Sequence, residues 1–388
     1  MGKSLDPRSE PWREPVRGGY PDPALFALPG MEQIRALVDG RTPAPPINYL
    51  FGLQPTEAGP GTVTFTMPVS PWLQSPQGTI TAGTLSILAD GPLGCAVQTV
   101  LPPSTAYTTS ELSLRVLRPA RVGMLLTARG RVVHAGRQLA LSEVRVEDAE
   151  GHLVAHGSSL CRVFPPRTPF ALPRGGGSPR EGAYTTPHPY LRPAVGEVIP
   201  QQVWDRMSGL EVLRAMLAGE LPAPPLHHLT GLRLIEAAPG EAAFALPASE
   251  WFCPPSARLE GGVTAMLADA ALSGAMMTVT PAGTALASID LKVDFLRPVN
   301  PDGRELVARG TVAHAGRTVT VARSAVTNAD GKLVALATGS ALRLSGTAVA
   351  LSVDEPPGLS LRGIFLPKQS PAHAEIATPR QTDGAGSQ

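Results

Sequence analysis

The chain has 388 residues, with 33 Lys and Arg against 32 Asp and Glu and a formal net charge of +1. That length exceeds what one core usually holds, and the interspersed charges leave neither a basic stripe for nucleic acid nor a polybasic segment for a membrane surface. Cys95, Cys161 and Cys253 lie far apart and cannot all pair, so a reducing compartment is expected; with no apolar signal core and no long uncharged apolar run, the cytoplasm is the default.

In chain order, Pro- and Gly-rich residues 1–22 are expected to be a disordered tail. Residues 23–164 form a first repeat, 165–200 a linker, 201–346 a second repeat and 347–388 a C-terminal tail. Each repeat opens with a short amphipathic helix, Met31 to Val38 and Leu210 to Leu217, stopped by Gly40 and Gly219. After a Pro-rich turn come two strand-like runs, YLFGLQPTEAG and GTVTFTMPV in the first repeat, HHLTGLRLIEAAPG and EAAFALPA in the second.

A long helix follows, at about 80–100 and 259–280. Then four runs alternate with period 2: AYTTSELSLRVL, MLLTARGRVVH, RQLALSEVRVED and LVAHGSSLCRVF, matched by TALASIDLKVDFL, ELVARGTVAH, RTVTVARSAVTN and LVALATGSALRL. HAGR, DAEG and NADG mark the hairpins between them. An offset of 179 residues, the separation of Asp90 and Asp269, also aligns Trp72 with Trp251 and the LRP at 117–119 with that at 296–298. The chain is an internal duplication, and the pattern predicts an α+β fold, one long helix against about six antiparallel strands, twice over. Each helix has more apolar surface than one small sheet covers, so the two sheets are expected to join edge to edge.

The most informative stretch is the start of the long helix, ITAGTLSILAD in the first copy and LEGGVTAMLAD in the second. Each is a small-residue turn followed by apolar residues at helical spacing and one carboxylate, Asp90 or Asp269, on an otherwise apolar face.

The stretch GGVTAMLADAALSGAM, followed by ASIDLKVDFLRP, HAGR and DGKLVA, resembles the hotdog-fold thioesterases of the phenylacetate-pathway (PaaI-like) type, which hydrolyse acyl-CoA thioesters. The resemblance covers about 40–164 and 219–344 and implies tandem hotdog folds, each a long central helix wrapped by an antiparallel sheet. In that family the helix begins with His-Gly-Gly, an Asn precedes the His by six residues, and the catalytic Asp sits on the helix. Here Thr81 and Glu260 hold the His position, Ser75 and Pro254 the Asn position, and the Asp is kept as Asp90 and Asp269. Thr109 and Ser288 stand at the family's hydroxyl position.

Asp269 lies eight residues after Gly261, about 12 Å along one helix, so an acid and the helix-start N–H groups can meet one carbonyl only if they come from different repeats. The two halves are therefore expected to pair about a pseudo-twofold, as an intramolecular dimer. One composite site joins Asp90 and Thr109 to Glu260, Gly261 and Gly262; the other joins Asp269 and Ser288 to Thr81, Ala82 and Gly83.

Free N–H groups at the helix start would hold the oxyanion, and the aspartate would act as general base or nucleophile. The glycines serve equally well for close helix packing. Neither a cofactor nor a metal is implied, and the substrate is an acyl-CoA or acyl carrier protein thioester. Homo-oligomerisation is expected by analogy with the family.

The lost His and Asn leave a non-catalytic acyl-binding or scaffold protein as the alternative. Hydration is disfavoured, because Cys95 and Gly274 stand where hotdog dehydratases place a His. Arg118, Arg297, Arg137 and Arg317 read as strand-end and turn residues, His134 and His314 as surface residues, and Cys95 as core. The Asp269 site is expected to carry most activity, because Pro92 should displace Asp90 and a Glu260 charge should oppose an oxyanion. Ala82 in place of a glycine argues the other way.

Overall fold

A computed structural model describes residues 10–165, 184 and 186–345. The first repeat contains α1 (Gly30–Val38), α2 (Pro46–Phe51), β1 (Gln54–Gly59), β2 (Thr62–Pro68), α3 (Ala82–Thr99), β3 (Tyr107–Val116), β4 (Leu125–Ala135), β5 (Leu139–Glu147) and β6 (Leu153–Val163). After a one-turn helix, α4 (Gln201–Trp204), the second repeats this order. It has α5 (Gly209–Leu217), α6 (Pro225–Thr230), β7 (Arg233–Ala238), β8 (Glu241–Pro247), α7 (Gly261–Thr278), β9 (Thr284–Phe295), β10 (Glu305–Ala315), β11 (Val319–Thr327) and β12 (Leu333–Ser345).

All twelve strands form one antiparallel sheet in the order β1-β2-β4-β5-β6-β3-β9-β12-β11-β10-β8-β7. The expected edge-to-edge join is the β3–β9 ladder, where Glu111 faces Asp294, Ser113 faces Lys292 and Arg115 faces Asp290. Ser113 and Lys292 are equivalent positions of the two repeats, so the pseudo-twofold runs between them. This is the tandem α+β hotdog arrangement.

α3 and α7 are apolar nearly all round and are almost completely buried, as helices enclosed on every side must be. They lie against the sheet and against each other. Where they cross, glycine is required: a Cβ on Gly262 would sit 2.5 Å from the Ser86 carbonyl oxygen, and one on Gly83 would sit 2.5 Å from Asp269 Cβ. Phe51 stacks on Phe252 across the repeats, in the same continuous core as Trp72 and Trp251. No helix among the described residues is long and apolar enough to cross a membrane.

Two readings of the sequence need correction. The runs beginning YLFG and HHLTG are not strands from their start: α2 and α6 occupy these positions, each opened by prolines and stopped by a left-handed glycine, Gly52 at φ 74° and Gly231 at φ 77°.

The tail and the linker, where described, are not loose either. Pro11–Arg13 and Pro189–Leu191 are matching 3-10 turns that cross between the repeats. Trp12 fills the space over Gly231, and the Trp251 Nε1–H donates to the Glu14 carbonyl at 3.0 Å, both in the second repeat. Reciprocally, Tyr190 fills the space over Gly52, and the Trp72 Nε1–H donates to the Arg192 carbonyl at 3.0 Å, both in the first. Each arm then returns to its own repeat, with Gly19 N–H donating to Ala44 O and Glu197 N–H to Ala223 O. Where the arms pass, Arg192 pairs with Glu14, Nη2 to Oε2 at 2.9 Å. Unpaired hydrogen-bonding groups on two buried tryptophans explain why these segments are held. The rest of the expected tails and linker, residues 1–9, 166–183, 185 and 346–388, lies outside the described residues.

Candidate functional site

Thr81 caps α3, its hydroxyl accepting from the Thr84 N–H. The next two N–H groups, of Ala82 and Gly83, then point out of the helix start. The same geometry at α7 follows Glu260, which occupies the cap position without a side-chain capping bond.

Across the helix crossing, each start meets the carboxylate of the other repeat. Gly262 N–H donates to Asp90 Oδ2 at 2.9 Å, and Gly83 N–H donates to Asp269 Oδ2 at 3.0 Å. Each acid thus meets the helix start of the other repeat, as the spacing implied. The second residue of each helix has two duties, allowing the close crossing and orienting the acid. The first residue differs between the two: the Ala82 N–H has no hydrogen-bond partner among the described residues, whereas the Gly261 N–H, like that of Gly262, faces Asp90.

The two carboxyls are deeply buried, Asp90 at 7% exposure and Asp269 at 3%. Burial lifts Asp90 to about 6, against the opposing pull of the Gly262 and Gly261 N–H groups and the Thr109 hydroxyl. Burial likewise raises Asp269, opposed by the Thr81 hydroxyl and the Gly83 N–H. Ser288, the twin of Thr109, is half-buried and makes no hydrogen bond to Asp269. A bulge lies beside each of these two residues, at Ser110 and at Ile289, re-aiming the strand next to the site.

The two reasons for ranking Asp269 first do not survive. Pro92 is accommodated inside an unbroken α3, and Asp90 is anchored rather than displaced. Glu260 is buried beside Asp90, and desolvation followed by that neighbour's charge pushes its carboxyl well above the usual range, so it is held away from the charged form that the ranking assumed. Access also differs: Gly261 is partly exposed, whereas Ala82 is 0% exposed.

Three residues around Asp90 escaped the sequence reading as a group. Cys95 faces Asp90 and Glu260, Cys161 faces Asp90 and Thr109, and Tyr107 faces all of the titratable members. Burial pushes the Cys95 thiol up to about 12 and Cys161 to about 11, so both are neutral and neither is a ready nucleophile. Their counterparts at the Asp269 site are Gly274, Ala341 and Leu286, and that contrast between repeats is the signal that could have found them.

His134, His314, Arg118, Arg137, Arg297 and Arg317 are exposed, as expected. Asp148, Glu150 and His152 cluster in the β5–β6 turn, but Asp148 is engaged there by the N–H groups of Glu150 and His152. Clefts at Ala248–Arg304 and at Glu57–Arg145 lie away from both carboxylates.

Residues 77–155 and 259–335 each match the family model of the thioesterase superfamily. The chain belongs to this superfamily. Both matched segments contain the start of a long helix and its aspartate, and membership supports thioester hydrolysis in general.

Solved structures similar to the chain include a mutant of the phenylacetic acid degradation protein PaaI from Thermus thermophilus. It is 31% identical over 31% of this chain and 99% of its own, with a TM-score of 0.29. PaaI from E. coli is 26% identical over 36% of this chain and 96% of its own, with a TM-score of 0.32. Acyl-CoA thioesterase II TesB2 from Mycobacterium marinum is 16% identical over 78% of this chain and 99% of its own, with a TM-score of 0.47. No curated protein matches the sequence.

Proposed function

We propose that this member of the thioesterase superfamily hydrolyses acyl-CoA thioesters at its composite carboxylate sites, with the Asp90 site carrying most of the turnover. The observation that carries the reading is the delivery of Asp90 onto the first turn of the other repeat's helix, Gly262 N–H to Oδ2 at 2.9 Å. The thioester carbonyl would lie against the Gly261 N–H, at the positive end of the α7 dipole. Asp90, ionised above about pH 6, takes a proton from water as that water attacks the carbonyl carbon. The C–S bond then breaks, and the proton passes from Asp90 to the departing thiolate, leaving free acid and CoA thiol. Thr109 orients the carboxylate. In the alternative route Asp90 attacks directly and water opens the resulting anhydride. Turnover in ¹⁸O-water tests the anhydride route: label in the Asp90 peptide requires an anhydride opened by water at the Asp90 carbonyl, and hydroxylamine trapping of an acyl-Asp90 adduct detects the anhydride when water opens it at the acyl carbonyl instead.

The deep burial of both carboxylates favours a second reading, an acyl-CoA-binding protein that does not turn its ligand over. Purified protein assayed by thiol release against acetyl-, hexanoyl-, palmitoyl- and benzoyl-CoA, and against acyl carrier protein thioesters, tests the two. Thermal stabilisation by an acyl-CoA without thiol release would select the second. The Asp90→Asn, Asp269→Asn double variant should fold and lose at least ~100-fold in turnover. Unchanged thiol release would mean that the aspartates are structural.

A further inference from the structure

Glu260 is an unusual group to bury. It precedes Gly261 at the cap of α7, where its twin Thr81 satisfies a backbone N–H, yet the Glu260 carboxyl caps nothing. It is 7% exposed, and its Oε2 is sealed from solvent with no hydrogen-bond partner. The titratable groups that face it are Asp90 and Cys95 from α3, Tyr107 from β3 and Cys253 from the segment before α7, and none carries positive charge. An unpaired carboxylate in such a place would be expensive, and the neutral acid keeps an O–H donor unspent. That donor stands one residue from the Gly261 N–H and beside Asp90.

We propose that Glu260 acts in its protonated form as a second hydrogen-bond donor to the substrate's carbonyl oxygen at the Asp90 site, beside the Gly261 N–H. The inference rests on the hydrolytic reading of that site and adds a part that the Asp269 site lacks, since Thr81 there bonds to its own carboxylate. Two carboxyls whose surroundings push them apart then divide the work, Asp90 as base and Glu260 as donor. Its hydrogen bond strengthens as negative charge grows on the oxygen, which places its effect on kcat rather than on KM. Activity of the Asp90 site should rise as Asp90 ionises and fall again at alkaline pH as Glu260 ionises, because the donor is lost and its charge opposes the oxyanion.

The test uses the Asp269→Asn background and hexanoyl-CoA. Glu260→Leu, which has no donor, should lose at least ~30-fold in kcat with little change in KM. Glu260→Gln, which keeps a donor that cannot ionise, should remain within about tenfold of the parent and lose the alkaline fall. Parent-like kcat in Glu260→Leu, or an alkaline fall surviving in Glu260→Gln, would overturn the proposal.

Infrared difference spectra of the full chain at pH 7 decide it without turnover. A protonated-carboxyl band present in the parent and absent from Glu260→Gln is expected, and its absence from the parent would overturn the assignment. If the parent released no thiol yet showed the band, the hydrolytic reading would fall while the neutral state of Glu260 stood.

Discussion

Asp90, lifted by burial from 3.8 to about 6, sets stability and activity against each other. Its folded pKa lies above its unfolded one, so the folded state binds the proton more tightly. The penalty is absent below the unfolded pKa, grows as pH rises between about 3.8 and about 6, and is full above that window, at roughly 3 kcal/mol. Asp90→Asn keeps an oxygen to accept the Gly262 N–H and removes the charge. It should therefore melt higher than the parent at pH 7.5 and close to it at pH 4, while losing at least ~100-fold in kcat/KM. Asp269→Asn should cost much less turnover; equal or reversed losses in the single variants would return the lead to Asp269. The identity and spacing of the two acids were legible in one sequence because each sits in a helical apolar pattern that recurs at the 179-residue offset. Thr109 and Glu260 were placed beside Asp90 too, but Tyr107 and Cys161 were not, because they arrive from β3 and β6 with no motif of their own. The upward shift of the Glu260 carboxyl depends on its burial, so the charge that the sequence set against an oxyanion could not be judged from the residue type alone.

At the scale of the helices, the paired glycines of one motif separate into two kinds. A Cβ on Gly83 or Gly262 would strike the opposing helix, partly on its backbone, so each Ala substitution should cost about 1–3 kcal/mol in urea melts. A Cβ on Gly261 would meet only side-chain atoms, Asp90 Oδ2 at 2.9 Å and Phe295 Cζ at 3.2 Å. Gly261→Ala should fold almost normally and lose turnover at the Asp90 site, becoming what Ala82 already is on the other side. If Gly261→Ala keeps full activity, the first residue of α7 does not receive the substrate. The long helices and the alternating strands were readable because their periods persist over many residues. α2 and α6 were missed because six apolar-rich residues fit a strand equally well, and the deciding signals are the flanking prolines and the left-handed Gly52 and Gly231.

Across the whole molecule, the crossed arms make the repeat longer than composition suggested. Their proline and glycine content reads as a linker, and only the two tryptophan N–H groups, donating at 3.0 Å to Glu14 and Arg192 carbonyls, reveal what the arms are for. Trp12→Ala should open space over Gly231 and lower stability by about 2–4 kcal/mol. A double-mutant cycle on Glu14→Ala and Arg192→Ala should give a coupling of about 1–3 kcal/mol, since both side chains are largely buried where the arms pass. Additive effects in that cycle would show that the arms dock independently.

The β3–β9 seam carries a consequence for ancestry. In a dimer of identical chains, whatever residue stands on the twofold must face its own copy, so a Lys there meets a Lys and a Glu meets a Glu. Once the two halves share one chain, each side of the axis mutates alone. Lys292 can then face Ser113 at the seam, and Arg192 can face Glu14 where the arms cross. Fusion converts obligatory self-recognition into free choice of partner, the same freedom by which one composite site carries Glu260, Cys95 and Tyr107 where the other carries Thr81, Gly274 and Leu286.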